Sequence, residues 1–256
     1  MTKRQKIIIT AILLTAGLLS TQLVDFNLRF RFIAGLGILA CILSLWALRE
    51  GLNTTKAVIL MILPTLYTLA VASFYFLLPV RWLTRLPVAF AFGLTFYLCL
   101  LSQNVFNVAA IRTIPLYRAA STAAFLFTLL SAFFIFNVVH AFNLLFLWNG
   151  LMVGLISFPL ILQILWSISM EDKVPTETYI QSFILSLIMG ELALAFSFWP
   201  IPTTIWSLAL SSSMYVLLGL TSQFLKGKVN KRVVWEYIGI GVLVLLVSLF
   251  LTSWTG

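Results

Sequence analysis

The sequence predicts an all-α fold, a bundle of about nine transmembrane helices that forms one domain over residues 1–256. Hydrophobic residues make up 62% of the chain and charged residues only 9%, whereas soluble domains carry about a quarter charged residues. Apolar runs of about 20 residues, the length that crosses a hydrocarbon core of roughly 30 Å, recur along the whole chain. The connections between them are too short to fold as separate domains.

Nine apolar runs have this length, and each is predicted to be one helix. Their approximate limits are 7–24, 32–48, 57–80, 86–108, 119–138, 143–168, 179–199, 203–225 and 233–254. The first run follows the segment MTKRQK and lacks a clear small-x-small cleavage site. We therefore expect an uncleaved first helix rather than a signal peptide.

The boundary between the fifth and sixth runs is the least defined. Residues 119–170 are almost continuously apolar and would extend about 78 Å as one helix, which is too long for a single crossing. We expect the turn within residues 137–143, where Asn137, His140 and Asn143 form the only polar cluster near the middle. A count of eight spans would follow if one run is re-entrant.

Lysine and arginine residues are distributed unequally between the two sides of the predicted bundle. With the N-terminus inside, twelve lie in cytoplasmic segments, namely Lys3, Arg4, Lys6, Arg49, Lys56, Arg112, Arg118, Lys173, Lys226, Lys228, Lys231 and Arg232. Four lie in outer loops, namely Arg29, Arg31, Arg81 and Arg85. This bias predicts an N-terminus inside and a C-terminus outside. The net charge of +9 indicates attraction to anionic lipid headgroups, and we expect no nucleic-acid partner.

Two runs carry small residues at helical spacing, the pattern that lets membrane helices approach closely. These residues are Ala34, Gly37, Cys41 and Ser44 in the second run, and Ser186, Gly190, Ala193 and Ser197 in the seventh. We interpret both stripes as packing faces.

The best candidate for a polar cavity combines the seventh and eighth runs, which the tight turn FWPIPTT makes antiparallel neighbours. Glu191 is the only acidic residue deep within a run, and a carboxylate at that depth is costly unless it is protonated, paired or hydrated. Hydroxyl groups follow one face of the eighth run, at Thr204, Ser207, Ser211, Tyr215 and Ser222. Either these groups line a substrate path, or they make hydrogen bonds within a packed interior.

A second polar group occupies SQNVFNVAAIRTIPLYR, residues 102–118, at the end of the fourth run. Gln103 and Asn107 share a helical face, and Asn104 neighbours Asn107 at i, i+3. Arg112 and Arg118 follow, and arginine binds phosphate and carboxylate groups bidentately. The stretch either forms a pocket for an anionic headgroup or substrate, or combines an amide clamp between helices with ordinary positive-inside arginines.

Catalytic and metal-binding patterns are lacking in the sequence. The chain has one histidine, His140, and its two cysteines, Cys41 and Cys99, lie inside apolar runs. There is no acidic pair at i, i+3 or i+4, no GxSG-type serine site and no Gly-rich phosphate loop. We therefore expect no catalytic residue, metal or cofactor, and an enzyme would need unusual chemistry.

The segment SQNVFNVAAIRTIPLYRAAS resembles a stretch from an uncharacterised family of multispanning membrane proteins, a domain of unknown function seen mostly in candidate-phylum bacteria. Beyond this segment only the hydropathy is similar. The resemblance implies a multi-pass protein of a bacterial inner membrane, and it implies no activity.

Three functional classes are compatible with these features. The leading hypothesis is a transporter or a translocator of lipids or small solutes, with a polar cavity within the membrane and contacts to anionic lipid headgroups. The alternative is a non-catalytic membrane subunit or scaffold of an envelope complex, which would bind a membrane-protein partner or a second copy of itself. The third class is an intramembrane enzyme or a lipid-binding protein.

Overall fold

Nine α-helices and no strand are found in residues 1–21, 28–78, 82–109, 116–171 and 173–252, the ranges that the computed structural model describes. They are α1 (Lys3–Ser20), α2 (Arg29–Leu48), α3 (Thr54–Leu77), α4 (Trp82–Ala109), α5 (Tyr117–Ala141), α6 (Phe146–Ser169), α7 (Thr176–Phe196), α8 (Thr203–Leu225) and α9 (Lys231–Phe250). Each helix contains most of one predicted run. The prediction of an all-α, polytopic fold is confirmed.

Among the described helices, the eight from α2 to α9 are long and apolar enough to cross a membrane. α1 differs because its 18 residues include Lys3, Arg4 and Lys6. Its start is fixed by a capping box, in which the Thr2 hydroxyl and the Gln5 side chain accept hydrogen bonds from each other's backbone nitrogens. The helices define a multi-pass membrane protein, while the inside position of the N-terminus stays a prediction.

The turn between α5 and α6 lies at the C-terminal edge of the segment predicted for it. α5 continues through Asn137 and His140 to Ala141, and α6 begins at Phe146. Asn143, in the turn, has a φ of 50°, a left-handed conformation that asparagine adopts more readily than most residues. The cluster therefore marks the turn, but Asn137 and His140 belong to the helix.

The chain divides into two compact units. The first comprises Met1–Ser131 and Met170–Lys173, and the second comprises Ala132–Ser169 and Val174–Gly256. Whether they fold as one domain, as the sequence predicts, stays a prediction.

In the first unit, α1 packs on α2 and α4, and α3 packs on the same two helices. Tyr67 of α3 is buried where α4 and the first part of α5 meet it, with its ring 5.9 Å from the ring of Phe92 and 5.6 Å from that of Phe127. The Tyr67 hydroxyl forms a 2.7 Å hydrogen bond with Thr95 Oγ1. The polar end of this buried ring is therefore satisfied inside the bundle.

In the second unit, α6 packs along α7, and α8 contacts α6, α7 and α9. Tyr237 of α9 lies against Gly219 of α8, and its ring centroid is 5.0 Å from that of Tyr215. Within α9 itself only Ser248 is buried. α9 is therefore a peripheral helix of this unit.

Both small-residue stripes contain close helix contacts, as predicted. On α2, a Cβ added to Gly37 would lie 2.6 Å from a methyl carbon of Leu69 in α3. On α7, a Cβ added to Gly190 would lie 3.0 Å from the carbonyl oxygen of Gly150 and 3.6 Å from Gly154 Cα, both in α6. The sequence pattern indicates the α7 face, but the opposing GxxxG pair on α6 emerges only from the structure.

Candidate functional site

The hydroxyl face of α8 is in large part a packed face. Ser207 and Ser211 are buried, and each donates a hydrogen bond to a carbonyl oxygen one turn earlier in α8, at 2.6 and 2.7 Å. Ser207 also accepts a 3.1 Å hydrogen bond from Asn137 Nδ2 of α5. Thr204 is exposed and Tyr215 is half-buried. These contacts satisfy the hydroxyls of Ser207 and Ser211, whereas the buried Ser222 hydroxyl has no hydrogen-bond partner in the described part of the chain. The lining of a polar cavity stays a prediction.

Glu191 is exposed on α7, one residue after the Gly190 that packs on α6. It makes no hydrogen bond or ion pair with the described part of the chain, so the structure does not bring it to Ser207 and Ser211. Its Cα lies five residues before the end of α7, about 8 Å along the helix axis. Glu191 therefore lies midway between the centre of α7 and its C-terminal end, and its depth within a membrane stays a prediction.

The amides at the C-terminal end of α4 include a clamp between helices. Asn107 is buried, and its Nδ2 donates to the carbonyl oxygens of Leu48 and Glu50, both at 3.0 Å. A helix leaves the carbonyl groups at its C-terminus without donors, and Asn107 supplies one to the end of α2. Gln103 is buried and Asn104 is half-buried. The clamp interpretation is confirmed for Asn107.

Two arginines, Arg112 and Arg118, are predicted to bind an anionic headgroup. Arg112 lies outside the described residues. Arg118 is exposed in the first turn of α5. Headgroup binding by these arginines stays a prediction.

A charged cluster holds the start of α1 to the turn after α2. Lys6 Nζ lies 3.0 Å from Glu50 Oε1, and Lys3 Nζ donates to the Glu50 carbonyl oxygen at 3.2 Å. The hydrogen bond from Lys6, together with its positive charge, holds the pKa of the Glu50 carboxyl below its ordinary value. Two of the three basic side chains at the start of α1 are thus engaged with Glu50.

A polar and aromatic cluster that the sequence does not predict joins α5 to the start of α8. His140 Nδ1 lies 3.2 Å from Thr203 Oγ1, and the His140 ring centroid is 4.6 Å from that of Trp206. The i, i+3 spacing of Asn137 and His140 is the one sequence signal for it, and the same residues also fit the turn that the sequence predicts there. Among the described residues no three His, Cys, Asp or Glu side chains are grouped as a metal site requires.

An apolar groove of about 610 Å³ runs between α1 and α4 on the surface of the first unit. Small residues leave the space for it, namely Ala11, Ala16 and Gly93. Large apolar side chains border it, namely Ile8, Ile12, Leu19, Phe90 and Leu94, and the lining is completed by Thr15 and Tyr97. The Thr15 hydroxyl donates to the Ala11 carbonyl oxygen at 2.7 Å, so this polar group is turned to its own helix.

The groove opens sideways to the surroundings of the bundle. Phe90 is 74% exposed, Ile12 61% and Leu94 53%. Along α1 the lining extends from Ile8 to Leu19, a rise of about 17 Å. A hydrocarbon core of roughly 30 Å has leaflets of about half that thickness. The groove therefore has the length of one leaflet.

The fold defines a polytopic α-helical membrane protein, and its first unit carries an exposed apolar groove. A family model described as a protein of unknown function, DUF5656, matches residues 16–251, and the chain belongs to this family. The resemblance to an uncharacterised family of multispanning proteins is confirmed. No curated protein and no solved structure matches the chain.

Proposed function

We propose that the protein is a lipid-binding membrane protein that holds one acyl chain in the groove between α1 and α4. The main support is the groove itself, with a volume of about 610 Å³ and a lining that is apolar except for Thr15 and Tyr97. Small-molecule sites in proteins usually have volumes of about 300–1,000 Å³. The length of the groove along α1 is that of a chain confined to one leaflet.

The chemistry of the lining restricts what can enter. Thr15 donates its hydroxyl proton to its own helix, and Tyr97 carries the only other side-chain hydroxyl of the lining. A ligand with several polar groups would therefore leave most of them without partners in the groove. A flexible hydrocarbon chain carries no such groups. An acyl chain in the groove would also make dispersion contacts with the lining, and these contacts are lost when the groove is empty.

The alternatives from the sequence have less support. A translocator needs a polar path, yet Ser207 and Ser211 are engaged in hydrogen bonds and Glu191 is exposed. Transport therefore stays a prediction. A scaffold would present a face to a partner protein, and that hypothesis also stays a prediction.

Filling the groove tests the proposal. Ala16 is exposed and lines the groove, so Ala16→Phe places a ring in the cleft without disturbing a buried contact. After extensive detergent exchange, native mass spectrometry should find one phospholipid on each wild-type chain. If the added ring weakens the binding free energy of the acyl chain by about 1.4 kcal/mol, which is within the usual range for overpacking, the lipid occupancy of Ala16→Phe should be about tenfold lower.

Ala91→Phe is the matched control. Ala91 is an exposed alanine of α4 that does not line the groove, so its replacement adds the same ring to the same unit. Occupancy should then equal that of the wild type. Equal occupancy in the wild type and Ala16→Phe, with both proteins folded by circular dichroism, would exclude the groove as the lipid site. So would a wild-type chain that retains no lipid.

A further inference from the structure

The apolar groove alone gives little selectivity, and selectivity requires contacts to the headgroup. Every phospholipid presents similar chains, and in a bilayer no hydrophobic effect drives a chain out of the surrounding lipid into a groove. Retention of one lipid therefore depends on polar contacts where the groove meets the interface.

Arg4 occupies that position on α1. It precedes the groove residues Ile8, Ala11 and Thr15 by four, seven and eleven residues, so helical periodicity places all four on one face of α1. Arg4 is exposed. Its guanidinium is therefore available at the end of the groove where α1 begins.

The neighbouring basic groups are already engaged. Lys6 pairs with the Glu50 carboxylate, and Lys3 donates to the Glu50 carbonyl oxygen. Arg4 makes no hydrogen bond or ion pair with the described part of the chain. Of the three basic residues at the start of α1, it is the one left to bind a ligand.

The dimensions also agree with a phospholipid. From Arg4 to Leu19, the far end of the groove, α1 rises about 22 Å. Half of a bilayer, headgroups included, is about 20–22 Å thick. A guanidinium at Arg4 thus lies at headgroup level when a chain from the same lipid fills the groove.

We infer that the site selects an anionic glycerophospholipid, with the Arg4 guanidinium binding the headgroup phosphate while one acyl chain lies between α1 and α4. Arginine is suited to this role because its planar donors match two phosphate oxygens. An anionic headgroup is favoured over phosphatidylcholine because the choline cation opposes the positive charge of the cluster. The inference rests on the proposed function and adds the lipid class.

Spin-labelled lipids measure this selectivity directly. The protein is reconstituted into phosphatidylcholine vesicles with a trace of chain-labelled phosphatidylglycerol or chain-labelled phosphatidylcholine. The motionally restricted fractions then give the relative association constant of the two lipids. One basic residue near the membrane surface corresponds to about a fivefold preference for an anionic lipid. At the groove, Arg4→Gln should therefore reduce the preference for phosphatidylglycerol about fivefold, and the average over all restricted lipids should fall by a smaller factor.

Two further variants separate the site from general basicity. Lys228 is exposed in the segment after α8, so Lys228→Gln removes the same charge elsewhere and should leave the preference unchanged. Arg4→Lys keeps the charge and should recover part of the preference. The inference is wrong if Arg4→Gln and Lys228→Gln have equal effects. If Arg4→Gln and Lys228→Gln have equal effects but Ala16→Phe still loses the retained lipid, the groove remains the lipid site and only the assignment of the headgroup to Arg4 fails. If no lipid is retained by the wild type, the proposed function fails as well.

Discussion

Replacing Gly190 by alanine tests whether the backbone contact between α6 and α7 stabilises the second unit. The added methyl group would lie 3.0 Å from the Gly150 carbonyl oxygen and 3.6 Å from Gly154 Cα. Both opposing atoms belong to the backbone and cannot rotate away, so the two helices must separate slightly. Overpacking typically costs about 1–3 kcal/mol, and the smallest addition should fall at about 1–2 kcal/mol.

Gly35→Ala is the reference for this measurement. Gly35 lies inside α2, and a Cβ added there would meet nothing within 4 Å. Alanine is the better helix former by up to about 1 kcal/mol, and this gain applies to both positions. The difference between the two variants therefore isolates the helix contact, and Gly190→Ala should be about 1–2 kcal/mol less stable than Gly35→Ala.

The free energy of unfolding is measured by titrating sodium dodecyl sulfate into the protein in a mild detergent and following the fluorescence of its eight tryptophans. A difference in unfolding free energy between Gly190→Ala and Gly35→Ala below about 0.5 kcal/mol, the usual effect of a surface substitution, would refute the stabilising role of the contact. Gly190→Leu enlarges the same overlap, and a stable Gly190→Leu variant would refute it independently.

Two other predictions use the same assay. Asn107→Ala leaves the carbonyl groups of Leu48 and Glu50 without that donor and should lower the free energy of unfolding by about 1–3 kcal/mol; an effect no larger than that of Asn104→Ala, at the half-buried neighbour, would contradict the clamp. The hydrogen bond and the positive charge of Lys6 lower the pKa of the Glu50 carboxyl. The stability that this pair contributes is therefore fully present above pH 4.5, the ordinary pKa of the carboxyl. It is lost as the pH falls through the lower pKa of the folded state. Glu50→Gln should abolish this loss, and an unchanged pH profile in Glu50→Gln would remove the pair as its source.

The helices can be predicted from the sequence, because an apolar run long enough to cross a membrane must satisfy its backbone hydrogen bonds internally, and an α-helix does so. The partners of those helices do not follow as directly. The stripe containing Gly190 indicates a packing face, but nothing in α7 itself specifies Gly150 and Gly154 as its counterpart. Similarly, the amide of Asn107 predicts a hydrogen bond between helices, and only the structure shows that its acceptors terminate α2.

The groove was beyond sequence reasoning for a physical reason. Ile12 and Phe90 are exposed, and buried residues of the same helices are equally apolar, so hydropathy does not separate outside from inside. Gly93 is the one local signal that α1 approaches α4 closely beside the groove, since a Cβ at Gly93 would lie 2.5 Å from Thr15 Oγ1. Glu191 shows the opposite case: a charge within an apolar run indicates a polar interior, whereas its side chain is exposed.

The peripheral position of α9 has a consequence for how the sequence can change over evolutionary time. With only Ser248 buried in this helix, and Tyr237 against Gly219, few of its side chains have neighbours that constrain their shape. Selection there acts mainly on hydrophobicity and length, so one large apolar residue can replace another. Among relatives, α9 should accumulate substitutions faster than α3 or α6, with the exceptions at Tyr237 and Ser248.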